Sequence, residues 1–74
     1  MNIKVRVFAY LREGRDKETT MKIKDGDTVG DIIERLDIDY NYVSISLING
    51  KNLPKETCLK DGDIVSLFPP IGGG

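Results

Sequence analysis

One stretch of this chain spaces its apolar side chains as a helix does. Val29, Ile32, Ile33 and Leu36 fall at i, i+3, i+4 and i+7, which places them in one stripe along a short amphipathic helix. A stripe of this kind must bury against another element, and the flanking segments read as strands, so the chain is bound to an architecture in which one helix covers one face of a sheet. Thr28 stands where an N-cap belongs, and Asp31, three residues on, makes a weaker version of the capping box. Asp31 and Glu34 lie toward the helix start, where the dipole favours negative charge, whereas Gly30 in the first turn weakens the helix by somewhat under ~1 kcal/mol.

Met1, Ile3, Val5, Val7 and Ala9 alternate with Asn2, Lys4, Arg6 and Phe8, the period of a strand with one buried face. Gly14, Arg15 and Asp16 make a turn. Met21 and Ile23 then alternate with Thr20, Lys22 and Lys24 in a second strand able to pair antiparallel with the first, and Asp25-Gly26-Asp27 closes it. After the helix, Val43, Ile45 and Leu47 alternate with Ser44 and Ser46, and Asn49-Gly50 is a strong hairpin signal because both residues tolerate positive φ. A brief fourth strand follows around Lys51–Leu53 and ends at Pro54. Asp61-Gly62 introduces a last apolar run, Ile64 to Phe68, in which Val65 and Leu67 face inward, and Pro69 stops it. The order strand, strand, helix, strand, short strand, strand predicts an α+β fold of the ubiquitin-like β-grasp type. A mixed four- to five-stranded sheet packed on one helix should occupy residues 1–68, with a flexible tail over 69–74.

At 74 residues most apolar side chains must serve one core, and no separate catalytic domain fits. Cys58 is the only cysteine and histidine is absent, which excludes a disulfide framework, a Cys/His zinc site, a histidine-based triad and a four-cysteine iron–sulfur cluster. No metal or bound cofactor is expected, and Cys58 reads as a small packing or surface residue rather than a nucleophile. The net charge of −1 offers no phosphate-tracking groove and no attraction to an anionic membrane. The charge is uneven along the chain: residues 1–24 hold seven Lys/Arg and three Asp/Glu, residues 25–40 one Arg and six Asp/Glu. No apolar run is long enough to span a bilayer and no signal-peptide core is evident, so a soluble cytoplasmic chain is expected.

The final residues are Phe68-Pro69-Pro70-Ile71-Gly72-Gly73-Gly74. Glycine has no Cβ, so such a tail can thread a channel too tight for any side chain and bring a terminal carboxylate to a buried site. The plain alternative is a frayed terminus. Against it, the glycines follow the last strand through two prolines with no polar linker between.

These residues resemble the MoaD/ThiS group of small ubiquitin-like sulfur carriers over nearly the whole chain. The similarity is carried by Phe8-Ala9-Tyr10-Leu11-Arg12-Glu13, Thr28-Val29, Ile48-Asn49-Gly50, Asp61-Gly62-Asp63 and above all the ending. Phe-Pro-Pro, an aliphatic residue and terminal glycines look like the small subunit of molybdopterin synthase more than the thiamine-pathway carrier. Two departures stand out: three terminal glycines where the family has two, and a segment between Leu11 and Met21 that is short for a molybdopterin-synthase subunit.

The resemblance implies that the chain is a protein cosubstrate with no turnover of its own. A ubiquitin-activating-type (MoeB/ThiF-like) enzyme would use ATP to adenylate the Gly74 carboxylate, and sulfur from a persulfide donor would replace AMP to leave a thiocarboxylate. A MoaE-like synthase, alternatively a ThiG-like one, would accept that sulfur. Extended, Pro69 to Gly74 reach roughly 20 Å, and ordering three glycines costs about 3–6 kcal/mol, which contacts of the body must offset. Pro69 and Pro70 reduce that loss by restricting the exit, with Ile71, Gly72 and Gly73 completing the thread. Phe8 and Phe68, pointing away from the inward set, are the candidate partner face, although Phe8, and less readily Phe68, could instead pack in a secondary core. Arg12 would make a charged contact with the adenylating enzyme. Two other readings stay open: a ubiquitin-like modifier joined to lysines, and an interaction module with an inert tail.

Overall fold

Thr28 ends an extended segment and starts α1, Val29–Arg35. In the computed structural model, which describes residues 1–70, the Thr28 hydroxyl accepts the Asp31 N–H at 3.2 Å and the Asp31 carboxylate accepts the Thr28 N–H at 2.9 Å. The reciprocal capping box foreseen in the sequence is therefore closed, with aspartate replacing the usual longer acid. Gly30 serves a packing purpose as well as costing helix propensity. A Cβ there would sit 3.0 Å from the Tyr40 ring, and the Gly30 N–H donates to the Lys55 carbonyl at 2.9 Å.

The strands are β1 (Asn2–Val7), β2 (Glu18–Lys22), β3 (Ile45–Ile48), β4 (Lys51–Asn52) and β5 (Ile64–Phe68). They form one sheet in the order β2-β1-β5-β3-β4. β5 lies parallel to β1 and antiparallel to β3, so the last strand occupies the middle of the sheet. The expected mixed sheet of four to five strands with one α-helix is realised with five strands. Ile3, Val5 and Val7 of β1 join Val65 and Leu67 of β5 beneath Val29, Ile32 and Ile33, all 3% exposed or less. Asn49 and Gly50 turn the β3–β4 hairpin with φ of 53° and 85°, as the dipeptide requires.

Three details of the sequence reading are corrected. Met1 and Ala9 do not extend the buried face of the first strand; both are exposed, because β1 ends at Val7 and the chain turns sharply at Ala9. The second strand begins earlier, at Glu18, and Ile23 lies just past its end, still buried, with its N–H on the Met1 carbonyl at 2.8 Å. The third apolar alternation changes face. Val43 is buried before the strand begins, whereas within β3 the inward positions are Ser46 and Ile48, and Ile45 and Leu47 point to the other side. A serine can take the inward position because its hydroxyl donates to the Leu53 carbonyl at 2.9 Å, which satisfies the buried oxygen locally.

Asp27 is 4% exposed, and its two carboxylate oxygens accept the Arg35 guanidinium nitrogens at 2.8 Å each. The hydrogen bond from Arg35, aided by the Lys24 N–H, lowers the Asp27 pKa from 3.8 to about 2. This bidentate pair locks the loop before α1 to the last turn of the helix.

Candidate functional site

The face of the sheet away from α1 divides into two halves. On β2 and β1 it carries Glu18, Thr20, Lys22, Asn2, Lys4 and Arg6, all exposed. On β5 and β3 it carries Ile64, Ser66, Phe68, Ile45 and Leu47, all half-buried. The strand register makes the second half continuous, since Ile45 lies opposite Phe68 and Leu47 opposite Ser66.

Phe8 completes this apolar half. The Phe8 N–H donates to the Leu67 carbonyl at 3.2 Å, which holds its backbone beside the end of β5. Its ring stacks on Phe68 with centroids 4.3 Å apart and planes 10° from parallel. Neither ring is in the core cluster. The secondary-core alternative for Phe8 thus gives way to a surface aromatic pair on the open face, a geometry worth about 0.5–1.5 kcal/mol beyond the area it buries.

The next residues are held by strain and by anchors. Ala9 adopts φ of 56°, a left-handed conformation that costs a non-glycine residue about 1–2 kcal/mol. It throws the chain out of β1 into a 3-10 turn, Ala9–Arg12, whose Leu11 is 3% exposed and plugs the core. Arg15 fastens the far side, donating to the carbonyls of Leu11, Glu13, Leu36 and Asp37 at 3.2–3.4 Å. Arg12 is returned toward the pair: its Nε donates to the Val7 carbonyl at 3.3 Å and its guanidinium carbon lies 5.9 Å from the Phe8 ring centroid, within cation–π range.

The exit of the chain lies at the same spot. The Ser44 N–H donates to the Phe68 carbonyl at 2.8 Å, Pro69 is buried and Pro70 is exposed. The body therefore holds the chain through Pro69, and Pro70 follows it at the surface, two residues beyond the Phe68 ring. Ile71, Gly72, Gly73 and Gly74 lie outside the described residues. Phe8, Arg12, Phe68, Pro69 and Pro70 are brought together, while Ile45, Leu47 and Ile64 extend the surface. Of these, Ile45 and Leu47 were missed because their alternation reads equally well from either face. Cys58 is exposed and bridges Thr28 at the helix start. Among the described residues no group of three acidic, cysteine or histidine side chains could hold a metal, and no helix is long and apolar enough to cross a membrane.

Residues 5–74 match the model of the ThiS family. The chain belongs to that family. Among relatives of this ThiS-family chain, small archaeal modifier protein 3 of Haloferax volcanii is 33% identical over an alignment of 92 residues that spans all of both chains. The solution structure of small archaeal modifier protein 1 of Methanosarcina acetivorans superposes with a TM-score of 0.74 at 28% identity, over 99% of this chain and 96% of that one. A chain from the complex of subunits 1 and 2 of the molybdopterin-converting factor of Helicobacter pylori gives 0.65 at 26% identity, with both chains fully covered. The fold is thus the ubiquitin-like β-grasp, in a family of small carrier and modifier proteins.

Proposed function

We propose that this ThiS-family chain is a sulfur carrier whose terminal glycine, Gly74, is the reacting residue, and that it supplies sulfur for molybdopterin formation. The observation that carries the reading is the exit of the chain at Pro69-Pro70, beside a half-buried aromatic pair on the open sheet face. A carboxylate is a poor acyl donor, so a partner enzyme must adenylate it with ATP, releasing pyrophosphate. The terminal sulfur of a persulfide then attacks the acyl carbon and AMP leaves. A thiol takes up the donor's remaining sulfur as a disulfide, freeing the thiocarboxylate. That ion is soft and nucleophilic, and it attacks an activated carbon in the synthase pocket.

The body's part in this chemistry is docking. Phe8, Phe68 and the neighbouring aliphatic side chains would bury against the adenylating enzyme and the synthase in turn, and Arg12 would meet an acidic group at the rim. Pro69 and Pro70 would aim Ile71 and the glycines outward, lowering the entropy lost on threading. The Helicobacter pylori relative, found with its second subunit, supports the synthase assignment.

The likeness to small archaeal modifier proteins favours a second reading in which the same activated glycine is attacked by lysine amines. One experiment separates the two. Intact-mass analysis after incubation with ATP, an adenylating enzyme and a persulfide donor is expected to show one oxygen replaced by sulfur at the carboxy terminus. Lysine-linked adducts without that species would favour the modifier, and neither product would overturn both. Deleting Gly74 is expected to slow adenylation sharply.

A further inference from the structure

The two edges of the sheet differ in how they are protected. β4 has only two residues, too short to template another strand. β2 is five residues long, Glu18-Thr19-Thr20-Met21-Lys22, and lies at the opposite edge. The Lys17 carbonyl accepts the Val7 N–H and the Ile23 N–H donates to the Met1 carbonyl, so odd-numbered positions of this segment turn their peptide groups toward β1. By the alternation of an antiparallel ladder, Glu18, Thr20 and Lys22 direct their N–H and C=O groups off the edge.

We propose that β2 is a self-association edge, pairing antiparallel with β2 of a second copy about a two-fold axis through Thr20. This register pairs every residue of the strand and places Glu18 opposite Lys22 of the other copy, twice over. Thr20 faces its own counterpart, and Met21 faces Thr19 across the helix side. About six ladder hydrogen bonds form, all from groups that point outward. On the open face, Glu18 already binds Arg6 at 2.8 Å, so the pairing extends this into a row of Arg6, Glu18 and Lys22 of the second copy. Charged side chains on an edge ordinarily discourage pairing. Here the acid sits at one end and the base at the other, so they favour this register and oppose others. Centring the pair on either end of the strand sets Glu18 against Glu18 or Lys22 against Lys22. The two-fold runs perpendicular to the sheet, so both aromatic pairs and both chain exits face the same side. The dimer would present two docking faces at once.

The test uses the full chain, by analytical ultracentrifugation over roughly a hundredfold concentration range and by amide exchange. Self-association is expected, with concentration-dependent protection at the Glu18, Thr20 and Lys22 N–H groups. Glu18→Lys and Lys22→Glu should each weaken it by about tenfold or more, because each leaves like charges opposed. Mixed together, the two variants should form a one-to-one heterodimer, since each supplies the charge the other lacks. Thr20→Pro removes an outward N–H and should abolish pairing while leaving amide protection in β1 and α1 unchanged. A monomer at every concentration, or a dimer indifferent to these substitutions, would overturn the proposal.

Discussion

The two faces of this sheet are built from the same strands and serve opposite ends. On the helix side Ile3, Val5, Val65 and Leu67 are 2% exposed or less, and each is one residue away in sequence from a side chain on the open side. There Ile64, Phe68 and Phe8 stop half-buried. The covered face has nothing left to offer a partner because α1 has already used it. The open face keeps apolar area only half-buried among the described residues, and Pro69-Pro70 follow directly from its Phe68. In this small domain, full burial and partial exposure thus fall on alternate residues of the same strands, and the proposed docking role belongs to the second set.

The sharpest way to test this division is to damage the covered face. Ile33→Ala on α1 is expected to cost about 2–5 kcal/mol, read by urea denaturation, as for a fully buried aliphatic side chain. That is a large part of a small domain's stability of about 5–15 kcal/mol. The mirror experiment is Phe68→Glu on the open face. It should weaken binding to an adenylating enzyme or synthase by about tenfold or more while the loss of the stack lowers the thermal midpoint by about 4–12 °C and leaves unfolding cooperative. A collapse of the fold would place Phe68 among the core residues and erase the distinction. Thr28→Ala, which opens the capping box, is expected to cost about 1 kcal/mol with no change in partner affinity, whereas Thr28→Ser should retain the cap.

The mildest test changes no residue. Asp27 has its pKa lowered from 3.8 to about 2 by the Arg35 hydrogen bond, so in this window the unfolded chain binds more protons than the folded one. The stabilisation is complete above about pH 4 and is lost as pH falls toward 2. Acid titration followed by circular dichroism should show this decline, and Asp27→Asn should flatten that limb of the curve.

Much of the covered face was legible in the sequence, because burial there repeats. Ile3, Val5 and Val7 keep one period, the α1 stripe keeps another, and Thr28 and Asn49-Gly50 mark the turns by chemistry that acts within three residues. The open face was less legible. The serine at position 46 lies inward only because Leu53, across the hairpin, offers a carbonyl to its hydroxyl, and that contact inverts the apparent sense of Ile45 and Leu47. The Phe8–Phe68 stack depends on β5 settling beside β1, a neighbour 60 residues away in the chain. Arg15 and the Asp27–Arg35 pair are likewise set by tertiary partners, and an exposed arginine and a bound one look alike in a sequence.

The placement of β5 has a consequence for synthesis. Because the strand made last is the one that fills the centre, a polypeptide halted before residue 68 has its outer strands but nothing to join them. The N-terminal hairpin must wait on the ribosome for its partner, and long-range closure of this kind is slow. An incomplete product would therefore lack the one strand on which the two hairpins both pair, and with it the sheet itself.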